Sequence, residues 1–292
     1  MQKNKQILLA LVAICAAPTA MGQNDDFDAV EIIAHQVAGS VHYLEGRGGN
    51  IGLSIGVDGV VMVDDQFAPL TGKITAAIEA LSDQPIRFLI NTHVHPDHIG
   101  GNENFGSMGI PILSHDNVRV RMTQGSRGGP PAPVVARPTL TYGDSVALHL
   151  NGEDIEIVKA PPSHTDGDSF VYFKTSNVLH LGDVFRTGAF PVIDTSNGGT
   201  AAGTIAALQL ALDMAAANTV ILPGHGQPST PADVREFLEM VVAVEAKVSA
   251  LIDQGMTLEQ IVAADPTADY SDRGLGSPER FLNGLYDSLA PN

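Results

Sequence analysis

The stretch THVHPDHIGG, residues Thr92–Gly101, places three histidines and one aspartate within six residues. In an extended segment successive side chains alternate between faces, so His93 and His95 project to the same side and can bind one cation together. A proline then turns the chain, and Asp97 and His98 point in a different direction, toward a second cation. The spacing therefore predicts that one short segment supplies ligands to two metal ions.

Three more candidate ligands follow along the chain, each beside a strand-like segment where loops present functional groups: His164 in PPSHTDGDS, Asp183 in HLGDVF and His225 in PGHG. A single surface histidine usually binds no metal, but the HxHxDH spacing rarely arises by chance. The other five histidines have no companion ligands and are interpreted as structural residues: His35, His42, His115, His149 and His180. His180 alone, three residues before Asp183, could support a ligand.

The composition predicts one main globular domain after an N-terminal leader. The chain has 292 residues, of which 44% are hydrophobic and 17% charged. Lys3 and Lys5 precede an apolar run, Ile7 to Ala17, and small residues follow it, which is typical of a secretory signal peptide over residues 1–22. The run falls short of the roughly 20 residues that span a bilayer. We expect a catalytic domain over residues 23–292, periplasmic or secreted, with no membrane attachment after cleavage.

The leader contains Cys15, which is the only cysteine. The mature protein then has no thiolate, and its chemistry must use His, Asp, Glu or hydroxyl groups. Loss of two lysines shifts the formal charge from −17 to about −19. Because nucleic-acid binding depends on cationic contacts to phosphates, this acidity argues against a nucleic-acid partner.

Strand-like and helix-like segments alternate along the chain in two βα halves. Alternating or β-branched runs predict strands, and apolar positions at helical spacing predict helices. The predicted strands are 30–36, 40–44, 50–56, 59–63, 87–91, 111–114, 145–150, 154–160, 169–174, 178–181 and 219–222. The predicted helices are 71–81, 97–105, 116–122, 201–216 and 231–254. Residues 123–138, rich in Gly and Pro, predict a loop that is either a domain linker or a flap over a site.

THVHPDHIGG, followed in order by His164, Asp183 and PGHG, resembles the metallo-β-lactamase superfamily over nearly all of the mature chain. The segment GVVMVDD, residues 59–65, is similar to the strand ending in an aspartate that precedes the histidine motif in that family. The resemblance implies an α/β protein with an αββα sandwich and metals at one edge of its sheets. That architecture agrees with the two βα halves.

The resemblance also implies a role for each ligand. His93, His95 and His164 would bind the first zinc ion, Asp97, His98 and His225 the second, and Asp183 would bridge the two. Such ions lower the pKa of a bound water to about 7 and polarise a carbonyl, so metal-bound hydroxide can attack an acyl carbon. Asp97 is placed to handle a proton, and Asp97 and Asp183 are the predicted catalytic carboxylates. Histidine and carboxylate ligands also accept iron, manganese or cobalt.

The ligand set leaves the substrate open. β-Lactamases of the best-known subclass have a cysteine at the position of Asp183, and most have an arginine at the position of His98. The full set resembles glyoxalase II, tRNA-processing nucleases, alkylsulfatases and acyl-homoserine lactonases.

The surroundings resemble secreted β-lactamases more closely, because LEGRGGNIGLSIGVDGVVMVDDQFAP is similar to their Gly-rich flap and the strands after it. Arg186 stands where those enzymes place a cation for the substrate carboxylate, and Asn197 resembles an asparagine that holds the lactam carbonyl. A surface salt bridge and a simple turn are the alternative interpretations of these two residues.

The sequence thus predicts a periplasmic dizinc hydrolase that opens a β-lactam amide in a small-molecule substrate. The alternative is a lactonase or other ester hydrolase, such as an acyl-homoserine lactonase. A non-enzymatic metal-binding or scaffold protein would require the complete site to be idle.

Overall fold

Two β-sheets stacked face to face form the centre of the protein. The computed structural model describes residues 26–125 and 129–290, so the predicted signal peptide and Cys15 lie outside the described residues. The first sheet has seven strands in chain order: β1 (Ile33–Ala38), β2 (Val41–Glu45), β3 (Ile51–Gly56), β4 (Gly59–Val63), β5 (Ile86–Asn91), β6 (Ile112–His115) and β7 (Leu140–Tyr142). Pairing is antiparallel from β1 to β4 and parallel from β4 to β7.

The second sheet has five strands in the order β12-β11-β10-β9-β8. Their bounds are β8 (Ser145–Leu150), β9 (Glu153–Lys159), β10 (Ser169–Phe173), β11 (Val178–His180) and β12 (Val220–Leu222). Only β11 and β12 pair in parallel within this sheet.

Helices cover the outer face of each sheet and complete an αββα sandwich. They are α1 (Thr71–Leu81), α2 (Pro96–Ile99), α3 (Asn102–Ser107), α4 (Asp116–Gln124), α5 (Ala201–Met214), α6 (Pro231–Asp253), α7 (Leu258–Ala264) and α8 (Glu279–Leu289). One apolar core lies between the sheets, where Val61 and Val63 share a cluster with Ile157 and Val171. A second core joins the first sheet to α1 and α3, and a third joins the second sheet to α5, α6, α7 and α8. The predicted fold class is confirmed.

The long helix α6 shows how local sequence sets these elements. Thr230 accepts a hydrogen bond from the backbone of Asp233, and the Asp233 side chain accepts from the Thr230 backbone, which forms a capping box. Pro231 occupies the first helical position, where its missing N–H costs nothing. Val241, Val244 and Val248 repeat at helical spacing and are fully buried against the second sheet.

The predicted single helix over residues 97–105 is wrong. The structure has two short helices, α2 and α3, because the backbone N–H of Gly101 donates to Asp65 Oδ1 at 2.8 Å instead of continuing the helix. The predicted loop over 123–138 is irregular over most of its described length, although α4 extends to Gln124 and a 3-10 turn covers Val134–Ala136.

All candidate ligands lie at one edge of the sandwich. β4 and β5 are parallel neighbours and end at Val63 and Asn91, just before Asp64 and the histidine motif. In the second sheet β9, β11 and β12 share one direction, and the loops after them contain His164, Asp183 and His225. In the described part of the chain no helix combines the length and apolarity needed to cross a bilayer.

Candidate metal centre

Three imidazoles form a first cluster at this edge. His93, His95 and His164 are 1%, 6% and 3% exposed, and their facing nitrogens all lie within 4.8 Å of one another. His95 Nδ1 and His164 Nε2 are 2.7 Å apart. The structure therefore brings together the three residues that the sequence assigned to the first metal.

The outer nitrogen of each imidazole has a hydrogen-bond partner that fixes the tautomer. His95 Nε2 donates to Asp194 Oδ2 at 2.7 Å, and His164 Nδ1 donates to the Val192 carbonyl at 2.7 Å. The Thr92 hydroxyl donates to Asp64 and accepts from His93 Nδ1 at 3.0 Å. Each ring consequently directs a lone pair inward, which is the arrangement that a metal ligand requires.

This first cluster fits a cation. Two inward lone pairs at 2.7 Å repel each other unless a positive charge lies between them. His93 Nε2 is buried with no hydrogen-bond partner among the described residues, which is costly without a ligand. Burial, assisted by the neighbouring imidazoles, lowers the pKa of His93 well below its usual value, and burial lowers that of His164 to about 3. Both rings are therefore neutral, as metal binding requires.

A second cluster lies beside the first. His225 Nε2 is 3.2 Å from Asp97 Oδ2 and 3.3 Å from His98 Nε2, so the three side chains converge as predicted for the second metal. His98 is fully buried and donates from Nδ1 to Asp64 Oδ2 at 2.7 Å, which leaves its Nε2 lone pair facing the cluster. Burial lowers the pKa of His98, but Asp183 and Asp64 outweigh it and raise the pKa well above normal. This position attracts positive charge.

Asp183 lies between the two clusters. Its Oδ1 is 3.2 Å from His98 Nε2 and 3.3 Å from His225 Nε2, and its Oδ2 is 3.7 Å from His164 Nε2. Burial opposes ionisation, but His98 and His225 lower the pKa of Asp183 well below its usual value, so the group is a carboxylate. Because one oxygen faces each cluster, Asp183 has the geometry of a bridging ligand.

Two glycines make room for these ligands. A Cβ at Gly49 would lie 2.2 Å from His98 Cε1, and a Cβ at Gly224 would lie 2.1 Å from Asp183 Oδ1. Either contact is far closer than real Cβ atoms allow, so any other residue would displace the ligand. Gly49 belongs to the Gly-rich segment before β3, and Gly224 belongs to PGHG.

Asp64 orients ligands although it lies close enough to His93 and His98 to bind a metal with them. Its Oδ1 accepts from the Thr92 backbone at 2.8 Å, and its Oδ2 accepts from the Thr92 hydroxyl and His98, both at 2.7 Å. Three donors leave little capacity for a cation. The sequence contains a signal for this residue, the aspartate that ends GVVMVDD, but not for Asp194, which the chain brings from 99 residues away.

A cavity of about 110 Å³ opens onto the ligands. Its lining includes five candidate ligands, His95, Asp97, His164, Asp183 and His225, together with Pro96, Val192, Arg186 and Arg280. Arg280 comes from α8, a helix that the sequence analysis did not assign. Within the described residues neither guanidinium has an ion-pair partner, so both can meet an anionic ligand.

The structure places Asn197 behind the ligands and away from the cavity. The side chain is fully buried, donates to Asp194 Oδ2 at 2.7 Å and accepts from Arg121 at 3.3 Å. A fully buried amide cannot contact a substrate in this conformation, so we correct its expected role. Asn197 supports Asp194, which in turn orients His95. His180 is likewise buried beside the centre, where its Nδ1 accepts from the Gly182 backbone at 3.1 Å.

The geometry can be set beside known proteins. The sequence profile described as the metallo-beta-lactamase superfamily matches residues 44–225. This chain belongs to the metallo-beta-lactamase superfamily. The matched residues run from β2 to the second-cluster histidine and include every candidate metal ligand. The predicted family is therefore confirmed.

Solved structures share the fold at low identity. A metallo-beta-lactamase from Pontibacter korlensis has a TM-score of 0.64 and 17% identity, over 72% of this chain and 99% of that one. A stereoselective inverting sec-alkylsulfatase from Pseudomonas sp. has a TM-score of 0.69 and 14% identity, over 89% of this chain and 50% of that one.

Two curated relatives are similar in sequence. The linear primary-alkylsulfatase of a Pseudomonas sp. strain is 24% identical, over 70% of this chain and 47% of its own length. The 2,4-dinitroanisole O-demethylase subunit alpha of a Nocardioides sp. strain is 29% identical over 139 residues, 46% of this chain and 40% of its own length. The chain thus spans less than half the length of these relatives.

Proposed function

We propose that the chain is a two-metal hydrolase that cleaves an amide or ester bond in a small anionic substrate. The observation that carries this proposal is the convergence of seven side chains on two adjacent positions with Asp183 between them. Their inward lone pairs and carboxylate oxygens are ligand atoms, and partners behind the rings already fix their orientation.

Two zinc ions fit the donor set. His93, His95 and His164 would hold one ion, and Asp97, His98 and His225 the other, with Asp183 shared. Imidazole and carboxylate are ligands that zinc accepts readily. When bound, such ions supply an acidified water and polarise the scissile carbonyl.

Asp97 is the carboxylate best placed to move a proton. Its side chain is 28% exposed and lines the cavity, whereas that of Asp183 is 5% exposed. Burial raises the pKa of Asp97, but its hydrogen bond with His225 and the charge of His98 prevail and hold the pKa below its usual range. The ionised group can accept a proton at Oδ2 and return it to the departing amine or alcohol.

Arg186 and Arg280 indicate what the substrate carries. Both arginines line the cavity beside the candidate ligands, and guanidinium groups bind carboxylates with charge-assisted hydrogen bonds. A β-lactam pairs a ring carboxylate with a cleavable amide, so β-lactam hydrolysis in the periplasm is the first candidate activity.

Hydrolysis of another anionic ester is the second candidate, because Asp183 and His98 depart from the best-known β-lactamases. The alkylsulfatase relatives are named for hydrolysis of a sulfate ester, which also presents an anion to such a site. A lactone is neutral before cleavage, but its ring-opened product is a carboxylate, which the same arginines could bind.

A side-by-side assay tests the proposal. Penicillin, a carbapenem, an acyl-homoserine lactone and an alkyl sulfate would be offered to the wild type, with and without a chelator, and to Asp183→Ala. Asp154→Ala, an exposed carboxylate paired with His149, is the matched control. We expect chelator and Asp183→Ala to abolish turnover while the control retains it. Turnover of only the lactone or the sulfate ester would reject β-lactam hydrolysis, and no turnover of any substrate by the metal-loaded protein would reject the proposal.

A further inference from the structure

The histidine motif has a second, apolar side. Val94, between His93 and His95, is not among the described residues that line the cavity of the metal centre. Val94 packs with Val118, Met122 and Ala136 in a small apolar cluster separate from the three main cores. The motif therefore lies between the metal centre and a distinct apolar region.

That region contains a cavity of about 440 Å³. Its described wall is mainly apolar and includes Val94, Ile99, Met122, Ala132 and Ala136. A single charged side chain, Glu103, stands among its described lining residues. The cavity therefore favours an uncharged, apolar occupant and disfavours an anion.

The apolar cavity adjoins the metal centre. Pro96 is exposed and lines both cavities, so it forms the ridge between them. The metal cavity measures about 110 Å³, well below the roughly 300–1,000 Å³ of typical small-molecule sites. A substrate whose reacting bond lies among the ligands must extend into a neighbouring space, and the apolar cavity is large enough to receive it.

We propose that the apolar cavity binds a neutral alkyl or aryl arm of the substrate, which crosses Pro96 from the reacting group. The proposal rests on the proposed function and narrows its substrate class to molecules with an anionic group on the arginine side and an apolar arm on the opposite side of the metals. Burial of the arm removes apolar surface from water and so strengthens binding. Each buried methylene should raise the affinity about fourfold.

The test uses alkyl hydroxamates from acetohydroxamate to octanohydroxamate, whose head groups chelate metal and whose tails probe the cavity. Their dissociation constants would be measured calorimetrically on zinc-supplied wild type, on Ala132→Leu, which fills the cavity, and on Ala206→Leu. Ala206 is an exposed residue of α5 that is not among the described lining residues of either cavity, and it is the matched control.

We expect the wild-type dissociation constant to fall about fourfold per methylene until the cavity is filled. Ala132→Leu should weaken octanohydroxamate at least tenfold and leave acetohydroxamate within twofold, whereas Ala206→Leu should change neither. A carboxylate at the far end of the octanoyl tail should weaken binding because it would approach Glu103.

If the dissociation constants on the wild type do not change with tail length, the proposal is overturned, whether or not Ala132→Leu folds. Equal tail dependence in wild type and a folded Ala132→Leu would overturn it too. A further outcome is a dissociation constant that does not depend on tail length, together with a wild-type dimer that Ala132→Leu dissociates. That result would assign the cavity to a second copy of the chain and overturn the proposal.

Failure of the metal centre would appear differently, as no binding of even acetohydroxamate. In that case the apolar site is tested with the fluorescent dye anilinonaphthalene sulfonate. Displacement of the dye by 1-octanol from the wild type, but not from Ala132→Leu, would still support the site.

Discussion

At the residue scale, the hydrogen-bond partners behind the candidate ligands determine which ring nitrogen of each imidazole carries an inward lone pair. Asp194 accepts from His95 Nε2 and thereby leaves Nδ1 as a lone pair. We predict that Asp194→Asn weakens zinc affinity by about 10- to 100-fold, the usual effect of losing such a partner. Competition with a chromophoric chelator would measure it. Asp154→Asn removes an equivalent aspartate–histidine pair at the surface and should leave affinity unchanged.

Arg186 lines the cavity beside the candidate ligands, and we propose that it binds the substrate carboxylate. A charge-assisted hydrogen bond to a carboxylate contributes about 1.5–3 kcal/mol, so Arg186→Ala should raise KM for carboxylate-bearing substrates by roughly tenfold or more with a smaller change in kcat. Steady-state kinetics would show this. Arg235→Ala, at an exposed position of α6, is the control. An unchanged KM in Arg186→Ala would remove the arginine from the substrate site.

Gly49 affects the second cluster alone. In Gly49→Ala the new Cβ would overlap His98 Cε1, so the imidazole must leave the position from which it reaches the second cluster. We predict that zinc bound per chain falls toward one, measured by elemental analysis after dialysis. Gly72→Ala is the control, because a Cβ there meets no atom within 4 Å. Two tightly bound zinc ions in Gly49→Ala would contradict the assigned packing.

The seven candidate ligands could be picked out from the sequence because four of them fall in one short motif and the rest follow strands. The groups that orient them could not, since contacts such as His95 with Asp194 join residues 99 positions apart. Asn197 illustrates the limit, because an asparagine in a turn looks the same in sequence whether it faces a substrate or a neighbouring carboxylate. The place of Arg280 in the cavity could not be predicted from the sequence, because its helix α8 contains no candidate ligand or motif.

At the element scale, Asn50 connects the start of β3 to the loop after β12. Its amide nitrogen donates to the carbonyls of Pro223 and Gly226, at 2.9 and 2.8 Å, on either side of His225. Asn50→Ala should reduce the unfolding free energy by about 1–3 kcal/mol, the cost of leaving buried groups without partners, and should weaken zinc binding at the second cluster. Denaturant titration and chelator competition would measure the two effects.

The control for this change is Thr230→Ala, which removes the cap of α6 away from the centre. Loss of a helix N-cap costs about 1 kcal/mol, so stability should fall while zinc affinity stays constant. If Asn50→Ala and Thr230→Ala bind zinc with equal affinity, the hydrogen bonds of Asn50 to the loop after β12 do not position His225.

Elements with strong periodicity or clear caps were predicted to within a few residues, and α1 has the predicted bounds. The break between α2 and α3 depends on Asp65, which lies 36 residues before Gly101 and competes for its backbone N–H. The edge strand β7 has only three residues, too few for alternation to show in sequence.

At the scale of the whole molecule, the sandwich brings seven candidate ligands from four loops to one edge. The order of strands and ligand segments resembles the family closely enough that the architecture could be predicted. The adjoining apolar cavity could not be predicted, because it depends on how α4 and the segment around Ala132 pack beside the histidine motif.

We propose that this edge holds two metal ions that share Asp183. The most direct measurement is calorimetric titration of the metal-free protein with zinc, with bound ions counted by native mass spectrometry. We predict two equivalents per chain for the wild type and one for His98→Ala, which retains the three histidines of the first cluster. Saturation of the wild type at one equivalent, or retention of two tight equivalents by His98→Ala, would contradict it.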